Sequence, residues 1–344
     1  MPVQTRKVKP DEEGMRVDRW FKAHFPELSH SHLQKLLRTG QVRVDGGRAK
    51  TSTKLAPGMA VRVPPLTRTE GTNNLGTEAS RVGTSAKAPS KMGDAKSDAA
   101  FIKSITLYED REVMVLNKPF GIAVQGGSGT TRHIDGMLES LRGKDGQKPR
   151  LVHRIDKDTC GILLIAKTRL AAATLAKTFR SRSARKIYWA LVAGVPKPRQ
   201  GRISTYLAKG AGEGGELMRV ADHGDEEASH AVTYYAVIDQ AAQKVSWISL
   251  KPVTGRTHQL RAHTAHIGNP IVGDPKYFSI ENWEFPGGIQ NRLHLLARRL
   301  VIPHPKGEGV IDVTAPLPQH MQQSWNLLGL DAKAYDPIVD APEE

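Results

Sequence analysis

The chain has 344 residues, which is enough for two domains and a sizeable core. Its net charge of +15 favours an acidic partner, with nucleic acid ahead of an anionic membrane surface. No apolar run approaches the length of a membrane span and no signal-peptide pattern is visible, so we expect a cytoplasmic protein. The single cysteine, Cys160, excludes an internal disulfide and a cysteine-rich metal site.

Residues 15–65 are predicted to form a small module of two short helices and a hairpin. Ser29 can cap the second helix, Gly40 suits its end, and Asp45-Gly46 suits a hairpin turn. Apolar residues recur at helical spacing in both helices: Val17, Trp20, Phe21 and Phe25, then Leu33, Leu36 and Leu37.

This module is strongly basic, since residues 1–65 carry 13 Lys or Arg against 6 Asp or Glu. Two short helices and a hairpin with excess positive charge resemble the S4 RNA-binding domain. A minor helical cap on the main domain is the alternative. The candidate RNA contacts in the module are Arg16, Arg19, Lys35, Arg38 and Arg43.

Residues 66–100 are predicted to be a flexible linker. They include no aromatic residue and are rich in Thr, Ser, Gly, Ala and Lys. Such a composition cannot bury enough apolar surface to offset its ordering entropy. The linker would let the basic module search along an RNA while the main domain docks.

The main domain is predicted to begin near Phe101, with a strand at Val113–Leu116 that Asn117-Lys118-Pro119 ends. The Gly-rich turn Gln125–Thr130 follows and suits an anion-binding nest. It lacks the Gly-Lys-Ser/Thr ending of a P-loop, and no G-x-G-x-x-G follows a strand. An enzyme that uses a nucleoside triphosphate or a dinucleotide is therefore not expected.

The stretch from Leu151 to Thr168 joins a charged cluster to a predicted buried strand at Gly161–Ala166. Burying such charges is costly unless they pair or take part in chemistry. The charged residues directly in front of the strand are His153, Arg154, Asp156, Lys157 and Asp158.

The chain that follows this cluster is basic without interruption. Residues 159–212 contain 11 Lys and Arg and no Asp or Glu. One acidic cluster before a long basic tract is the pattern of a polyanion-binding enzyme with a single ionised carboxylate. A surface loop with one ion pair is the alternative.

After this point, Leu170–Phe179 is predicted to be a helix, and Lys186–Val192 alternates as a strand does. Spacing alone makes Tyr188 an ordinary strand tyrosine packed in a core. Near the end of the chain, Leu317–Leu328 is predicted to be a last helix, and residues 326–344 to be an acidic, loosely held tail.

Three histidines, His258, His263 and His266, suggest a metal site. If their stretch is a helix, His258 and His263 point about 140° apart, so only His263 and His266 share a face. No Cys or nearby carboxylate completes a ligand set. We therefore expect no metal.

Three motifs, in this order along the chain, resemble those of the RluA-type pseudouridine synthases, especially RluC-like and RluD-like members. The Asn-Lys-Pro and Gln-Gly-Gly-Ser-Gly segments resemble the opening of the same catalytic domain. The match departs from the family at Leu296, where a His is common. The motifs are His153-Arg154-Ile155-Asp156 with Thr159-Cys160-Gly161, Lys186-x-Tyr188-x-Ala-Leu-Val, and Thr254-Gly255-Arg256-Thr257-His258-Gln259-Leu260-Arg261.

The resemblance implies an α+β fold, in which a catalytic domain with a mixed, mainly antiparallel sheet at 101–325 accompanies the S4-like α/β module. It implies that Asp156 is the catalytic residue, that Tyr188 lines the active site, and that Arg256 pairs with Asp156. It also implies an isomerase without a cofactor, because the uracil ring is turned and rejoined and never leaves.

These residues suit the chemistry. Burial alone would raise the pKa of Asp156, so an arginine partner, Arg256, is expected to keep it ionised. Asp156 would then attack C1′ or remove a proton at C2′, while Tyr188 stacks on the flipped uracil or takes the proton from C5. Arg154 is expected to fill the vacated stack or clamp a flanking phosphate. Further candidate RNA contacts are His153, Thr159, Lys186 and Lys118.

The leading hypothesis is therefore a monomeric pseudouridine synthase that acts on large-subunit ribosomal RNA or its precursor. One alternative is a non-catalytic RNA-binding assembly factor, for which the S4-like module and the net charge would suffice. A synthase for tRNA or another RNA is a second alternative. A nucleoside hydrolase or glycosylase would need a second carboxylate, and Asp158 is the near candidate.

Overall fold

The computed structural model describes residues 3–25, 28, 30–66, 95–127, 130, 132–143, 146–212, 215–222, 224–278, 287–307 and 309–342. The chain divides into two compact units, Met1–Ala86 and Lys87–Glu344. Each unit has its own apolar core, so each is described by itself.

The first unit confirms the predicted pair of helices and the hairpin. Its strands form one antiparallel sheet in the order β1-β4-β2-β3, so the unit begins before residue 15. Asp45 and Gly46 have φ of 48° and 78°, the positive values that a two-residue hairpin turn requires. The predicted cap Ser29 lies outside the described residues. The elements are β1 (Gln4–Lys7), α1 (Val17–His24), α2 (His30–Arg38), β2 (Arg43–Val44), β3 (Gly47–Arg48) and β4 (Ala60–Val63).

The second unit is built on a mixed sheet in which eleven strands of the described residues take part. Its helices are α3 (Ala95–Ser104), α4 (Ile134–Met137), α5 (Arg169–Arg180), α6 (Gln259–His266) and α7 (Gln319–Leu328). Its strands are β5 (Thr106–Glu109), β6 (Val113–Lys118), β7 (Arg150–Leu151), β8 (Cys160–Ala166), β9 (Arg185–Ala193), β10 (Gln200–Gly212), β11 (Gly215–Ala221), β12 (Ser229–Ala241), β13 (Val245–Pro252), β14 (Leu295–Pro303) and β15 (Val310–Thr314).

The main path of this sheet runs β11-β10-β12-β13-β9-β14-β8-β6-β5. Every described pair is antiparallel except β8 with β14. Gly161 makes that contact possible, because its φ is +100° and a Cβ there would lie 2.3 Å from the carbonyl oxygen of Ala297. Leu296, beside it, is fully buried in the core. The predicted strands around Val113, Gly161 and Tyr188 and the helix at Leu170 are confirmed.

The start of the second unit differs from the prediction. Helix α3 begins at Ala95, within the predicted linker and ahead of Phe101. Its residues Asp98 and Ile102 are buried, and Asp98 accepts a hydrogen bond from Arg132 at 3.2 Å. Residues 67–94 of the predicted linker lie outside the described residues, as do Ser128 and Gly129 of the predicted Gly-rich turn.

The stretch after α7 is anchored as far as Pro342, so the prediction of a loosely held tail is wrong for it. The carboxylate of Asp336 accepts hydrogen bonds from the indole of Trp189 at 2.9 Å and the hydroxyl of Ser249 at 2.8 Å. Lys251 donates to the carbonyl oxygen of Ala341 at 2.9 Å. Asp336 and the backbone near Ala341 are thus bound by polar groups on β9 and β13, which composition alone does not reveal.

Candidate active site

Asp156 lies in a cavity of about 590 Å³ in the second unit. The loop between β7 and β8, the end of α5, strand β9 and the start of α6 line it. All three sequence motifs therefore meet here. Lining residues that carry the argument are Arg154, Asp156, Tyr188, Arg256, His258 and Arg261.

Lys118 holds the loop that carries Asp156. Its ammonium group donates to three backbone carbonyl oxygens, those of Pro119 and Ile122 at 2.9 Å and of Lys157 at 2.8 Å. Burial lowers the pKa of Lys118 to about 8. Because the side chain is completely buried, the prediction that Lys118 contacts RNA is wrong.

Arg261, and not the predicted Arg256, pairs with Asp156. Nη1 of Arg261 lies 3.3 Å from Oδ2 of Asp156. Nε of Arg256 instead donates to the carbonyl oxygen of His230 at 3.1 Å. The reason is local: α6 begins at Gln259, so Arg261 lies in its buried first turn, whereas Arg256 belongs to the exposed loop before it.

A buried carboxylate fixes Arg261 in turn. Nε and Nη2 of Arg261 donate to the two oxygens of Asp274, both at 2.7 Å. Burial alone would lower the pKa of Arg261, but the hydrogen bonds and charge of Asp274 outweigh it and raise that pKa. Gly273 allows this placement, since a Cβ there would lie 2.1 Å from the carbonyl oxygen of Arg292. The guanidinium therefore reaches Asp156 in one fixed orientation.

Tyr188 faces the same cavity from β9. Burial, with a further effect of the Asp156 charge, raises the pKa of its hydroxyl above the ordinary value of 10. The phenol is therefore protonated at neutral pH. Leu250 of β13 and Ala297 of β14 lie opposite Tyr188 in the sheet, so the three side chains share one face of it.

The loop before α6 is locked by the buried amide of Gln259. Its oxygen accepts from the Thr254 hydroxyl at 2.7 Å and the Arg256 N–H at 3.0 Å. Its nitrogen donates to the carbonyl oxygen of Val232 and the hydroxyl of Thr233, both at 2.9 Å. All four hydrogen-bonding positions of the amide are used, which ties this wall of the cavity to β12.

Two residues of the first motif that were predicted to contact RNA, His153 and Thr159, make hydrogen bonds within the protein. Nε2 of His153 accepts from the Leu164 N–H at 2.8 Å, and its ring stacks on Phe179. Burial, with a smaller effect of a nearby lysine, lowers the pKa of His153 to about 3. Thr159 is buried, and its N–H donates to the carbonyl oxygen of Asp156 at 3.2 Å. Both residues line the cavity, and their contact with RNA stays a prediction.

Four cations line the cavity with no protein counterion, and we call them the cationic rim: Arg154, Arg180, Arg182 and Lys186. Among the described residues, none of their side chains has a hydrogen bond or an ion pair. Burial, and secondarily the charge of Arg182, lowers the pKa of Lys186 to about 8. Unpaired cations around a cavity repel one another, which favours an anionic ligand.

The histidines of the third motif have separate surroundings. His258 precedes α6, whereas both ring nitrogens of His263 meet threonine hydroxyls, Thr233 at 2.9 Å and Thr205 at 3.0 Å. Burial lowers the pKa of His263 to about 4. Within the described ranges, no group of three or more His, Cys, Asp or Glu is placed to hold a metal ion. None of the described helices is long and apolar enough for a bilayer crossing.

The residues of the first unit that were predicted to contact RNA differ in whether their side chains already have a partner within the protein. Arg16 pairs with Asp18 at 2.7 Å, and Arg43 donates to backbone carbonyl oxygens at 3.2 Å. In the part of the chain that the structure describes, the remaining three are exposed and have no side-chain partner: Arg19, Lys35 and Arg38.

Sequence reasoning missed Arg261, Asp274 and His258 as site residues. Arg261 and His258 both lie in the third motif, and Asp274 follows Gly273, thirteen residues after Arg261. The signal that could have pointed to Arg261 was a second arginine in the same motif. Choosing between Arg256 and Arg261 requires the helix boundary at Gln259, which spacing does not supply.

Comparisons with known proteins show the family of this chain. The sequence model of the family described as RNA pseudouridylate synthase matches residues 112–266. Ribosomal large subunit pseudouridine synthase C of Vibrio cholerae is 34% identical, with 94% of this chain and 96% of that protein covered. Its namesake in Escherichia coli K12 is 33% identical, with 94% and 97% covered.

Two further comparisons extend beyond bacteria. RNA pseudouridine synthase 4, mitochondrial, of Arabidopsis thaliana is 32% identical, with 94% of this chain and 81% of that protein covered. The solved structure of human RNA pseudouridylate synthase domain containing 4 superposes with a TM-score of 0.58 at 26% identity, over 69% of this chain and 97% of that chain.

Proposed function

The chain belongs to the RNA pseudouridylate synthase family, and we propose that it isomerises uridines of large-subunit ribosomal RNA, with Asp156 as the catalytic carboxylate. As a member of that family it is an isomerase. Likeness to bacterial large-subunit enzymes over nearly the whole of both chains supports this choice of RNA.

The observation that carries the proposal is the ion pair between Asp156 and Arg261 at 3.3 Å in a cavity lined by Tyr188. The isomerisation breaks the bond from N1 to C1′ and forms one from C5 to C1′, while C5 loses a proton and N1 gains one. An ionised carboxylate can attack C1′ or remove a proton at C2′. Arg261, which is fixed and always protonated, places a positive charge 3.3 Å from this carboxylate.

Tyr188 is proposed to stack on the displaced uracil. Its ring forms part of the cavity wall, and stacking of a base on an aromatic ring contributes about 1–3 kcal/mol. Because the pKa of Tyr188 is raised, its phenol is protonated at rest and can take the C5 proton only after it has lost its own. Stacking is therefore the role that its surroundings favour.

The cationic rim is proposed to bind the RNA backbone around a flipped uridine. A stacked base hides C1′ and C5, so the nucleotide must leave the helix to enter the cavity. Arg154 directly precedes the catalytic loop, which suits it to fill the vacated stack or to clamp a flanking phosphate. The other three rim cations then serve phosphates, which add affinity but little sequence information.

The first unit is proposed to be an S4-like RNA-binding module. Exposed, unpaired Arg19, Lys35 and Arg38 support this role among the described residues. Charge-reversed Lys35→Glu and Arg38→Glu should weaken binding of ribosomal RNA and flatten its salt dependence. Arg43→Glu is the matched control for charge, because Arg43 is already engaged by carbonyl oxygens of its own hairpin.

Pseudouridine mapping of total RNA, with and without this protein, tests the function. We expect particular uridines of large-subunit ribosomal RNA to lose their modification when the protein is absent. Restoring the protein should return the modification, and Asp156→Asn should not. Loss confined to tRNA would instead favour the tRNA alternative, and no loss in any RNA would favour the non-catalytic assembly factor.

A further inference from the structure

The hydroxyl of Thr159 is an unpaired polar group at the cavity that holds Asp156. Thr159 is only 2% exposed, and because it lines the cavity, the surface that remains to it opens there. Its backbone N–H is used in the fold, but among the described residues its hydroxyl has no hydrogen-bond partner. The hydroxyl oxygen is not one of the described atoms that are both fully enclosed and unpaired, so it is reached from the cavity. Polar groups this deeply buried nearly always have a partner, and we expect the missing one to arrive with the ligand.

Two other threonines that line this cavity differ from Thr159. The hydroxyl of Thr254 is used twice inside the protein, because it donates to the amide oxygen of Gln259 at 2.7 Å and accepts from the Val232 N–H at 3.0 Å. Thr257 is exposed on the loop before α6, where water can satisfy its hydroxyl. Of the three, Thr159 is therefore the enclosed threonine whose hydroxyl is left for a ligand.

Thr159 and Asp156 are the two ends of one fixed turn. The Thr159 N–H donates to the carbonyl oxygen of Asp156 at 3.2 Å, so in this turn their Cα atoms lie within about 7 Å of each other. Inside the turn, the carbonyl oxygen of Lys157 accepts from the Lys118 ammonium group at 2.8 Å and from the Gly121 N–H at 3.1 Å. The backbone that carries the hydroxyl is therefore fixed relative to the backbone that carries the carboxylate.

The group that meets this hydroxyl is expected to belong to the ribose. Whichever route Asp156 takes, it acts on C1′ or C2′ of the target uridine, so the sugar must enter beside the turn. The 2′-hydroxyl is bonded to C2′, and like the threonine hydroxyl it is both a donor and an acceptor. A phosphate would instead be drawn to the cationic rim, because hydrogen bonds between ionised groups are the stronger ones.

We propose that the hydroxyl of Thr159 hydrogen-bonds to the 2′-hydroxyl of the target uridine. The 2′-hydroxyl is the group by which a protein tells RNA from DNA at a given position. Thr159 is thus a recognition residue that selects a ribonucleotide beside the catalytic carboxylate, in addition to the phosphate contacts of the cationic rim. The assignment rests on the proposed function, and it names the substrate group that this enclosed part of the site recognises.

The test crosses Thr159→Val and Thr159→Ser with two RNA fragments, which carry uridine or 2′-deoxyuridine at the mapped target position. Valine removes the hydroxyl and keeps the branched shape, whereas serine keeps the hydroxyl. On uridine RNA, the single-turnover rate constant divided by the dissociation constant should fall about fivefold for Thr159→Val, the effect of one hydrogen bond between neutral groups. On 2′-deoxyuridine RNA this variant should equal the wild type, because the partner of the hydroxyl is already absent. Thr159→Ser should follow the wild type on both RNAs.

Competition binding gives the same comparison without turnover, so it applies even if 2′-deoxyuridine RNA does not react. Thr159 is varied in the Asp156→Asn protein, and each RNA competes with a labelled uridine RNA. Thr257→Val is the matched control, because it removes an exposed hydroxyl at the same cavity and should affect both RNAs equally. The urea midpoint of Thr159→Val should be unchanged or higher, since replacing an unpaired buried hydroxyl by a methyl group costs the fold nothing.

The failure of this inference differs from that of the proposed function. Equal losses by Thr159→Val on the two RNAs, or no loss on either, would overturn the contact with the 2′-hydroxyl. Equal losses would assign the hydroxyl to the uracil if the urea midpoint is unchanged, and to the fold if it is lowered. A wild-type protein that forms no pseudouridine in any RNA would instead overturn the proposed function itself.

Discussion

Two groups of residues at the cavity differ in how their charges are balanced. In the first group, Asp156, Arg261 and Asp274 form a chain of ion pairs in which every charge has a partner. The second group, the cationic rim, has no counterion among the described residues. Paired charges are fixed before substrate arrives, which suits chemistry. Unpaired cations are satisfied only when an anion arrives, which suits binding.

The sharpest test of this contrast is Asp156→Asn. It removes the carboxylate and keeps the shape, so pseudouridine formation should fall by about 10⁴-fold or more, while RNA affinity changes little. Single-turnover kinetics and filter binding on one RNA fragment measure both. Asp158→Asn is the matched control, since Asp158 does not line this cavity. Equal losses in the two variants would contradict the assignment.

The next largest effect is expected from Asp274→Asn, which removes half of the buried pair that orients Arg261. Breaking a buried ion pair from one side costs about 3–5 kcal/mol of unfolding free energy. Urea unfolding measures it, and activity should fall as well because Arg261 loses its fixed orientation.

The control for that variant is Asp312→Asn, whose pair with Arg299 is exposed. Its cost should be about 0–1 kcal/mol. If Asp274→Asn and Asp312→Asn lower the free energy of unfolding by the same amount, burial does not strengthen the pair between Arg261 and Asp274.

Lys186→Met tests the cationic rim. Loss of one desolvated cation should weaken RNA binding by about tenfold and reduce the salt slope by about 0.7, while the rate with saturating RNA is largely kept. Lys177→Met is the matched control, because Lys177 is exposed on α5 and does not line the cavity. A large loss of rate with normal RNA affinity would show that Lys186 acts in catalysis and not in binding.

The smallest expected effect is a pH dependence of affinity. Lys186 has its pKa lowered to about 8, so it is charged at neutral pH and loses its charge as the pH rises through that value. RNA binding should therefore weaken severalfold from about pH 7 to about pH 9. Titration of the wild type against Lys186→Met checks this, since the variant should lack that part of the dependence.

Several strands and helices, and part of the candidate site, could be predicted from local sequence patterns. Apolar periodicity located the strands at Val113, Gly161 and Tyr188 and the helix at Leu170. The motif resemblance predicted that Asp156 and Tyr188 lie at one site, and both line the same cavity in the structure. These predictions succeeded because periodicity and motif order are properties of short stretches of chain.

The remaining features depend on distant residues. Arg261, and not Arg256, pairs with Asp156 because α6 begins at Gln259 and places Arg261 in its buried first turn. Asp274, thirteen positions later, then holds the guanidinium of Arg261. Lys118 is buried because three carbonyl oxygens from two separate loops satisfy its ammonium group. A local sequence pattern cannot predict these partners, because they are distant in sequence and come into contact only when the chain folds.

The attachment of Asp336 to Trp189 has a practical consequence. Trp189 is the neighbour of Tyr188 on β9, and the guanidinium of Arg298 lies 4.0 Å from the centre of its indole ring. Any shift of that strand as a nucleotide enters would alter the polarity around the indole. Any fluorescence change on RNA binding that Trp189→Phe lacks therefore offers an optical reporter of substrate entry that leaves the cavity itself unlabelled.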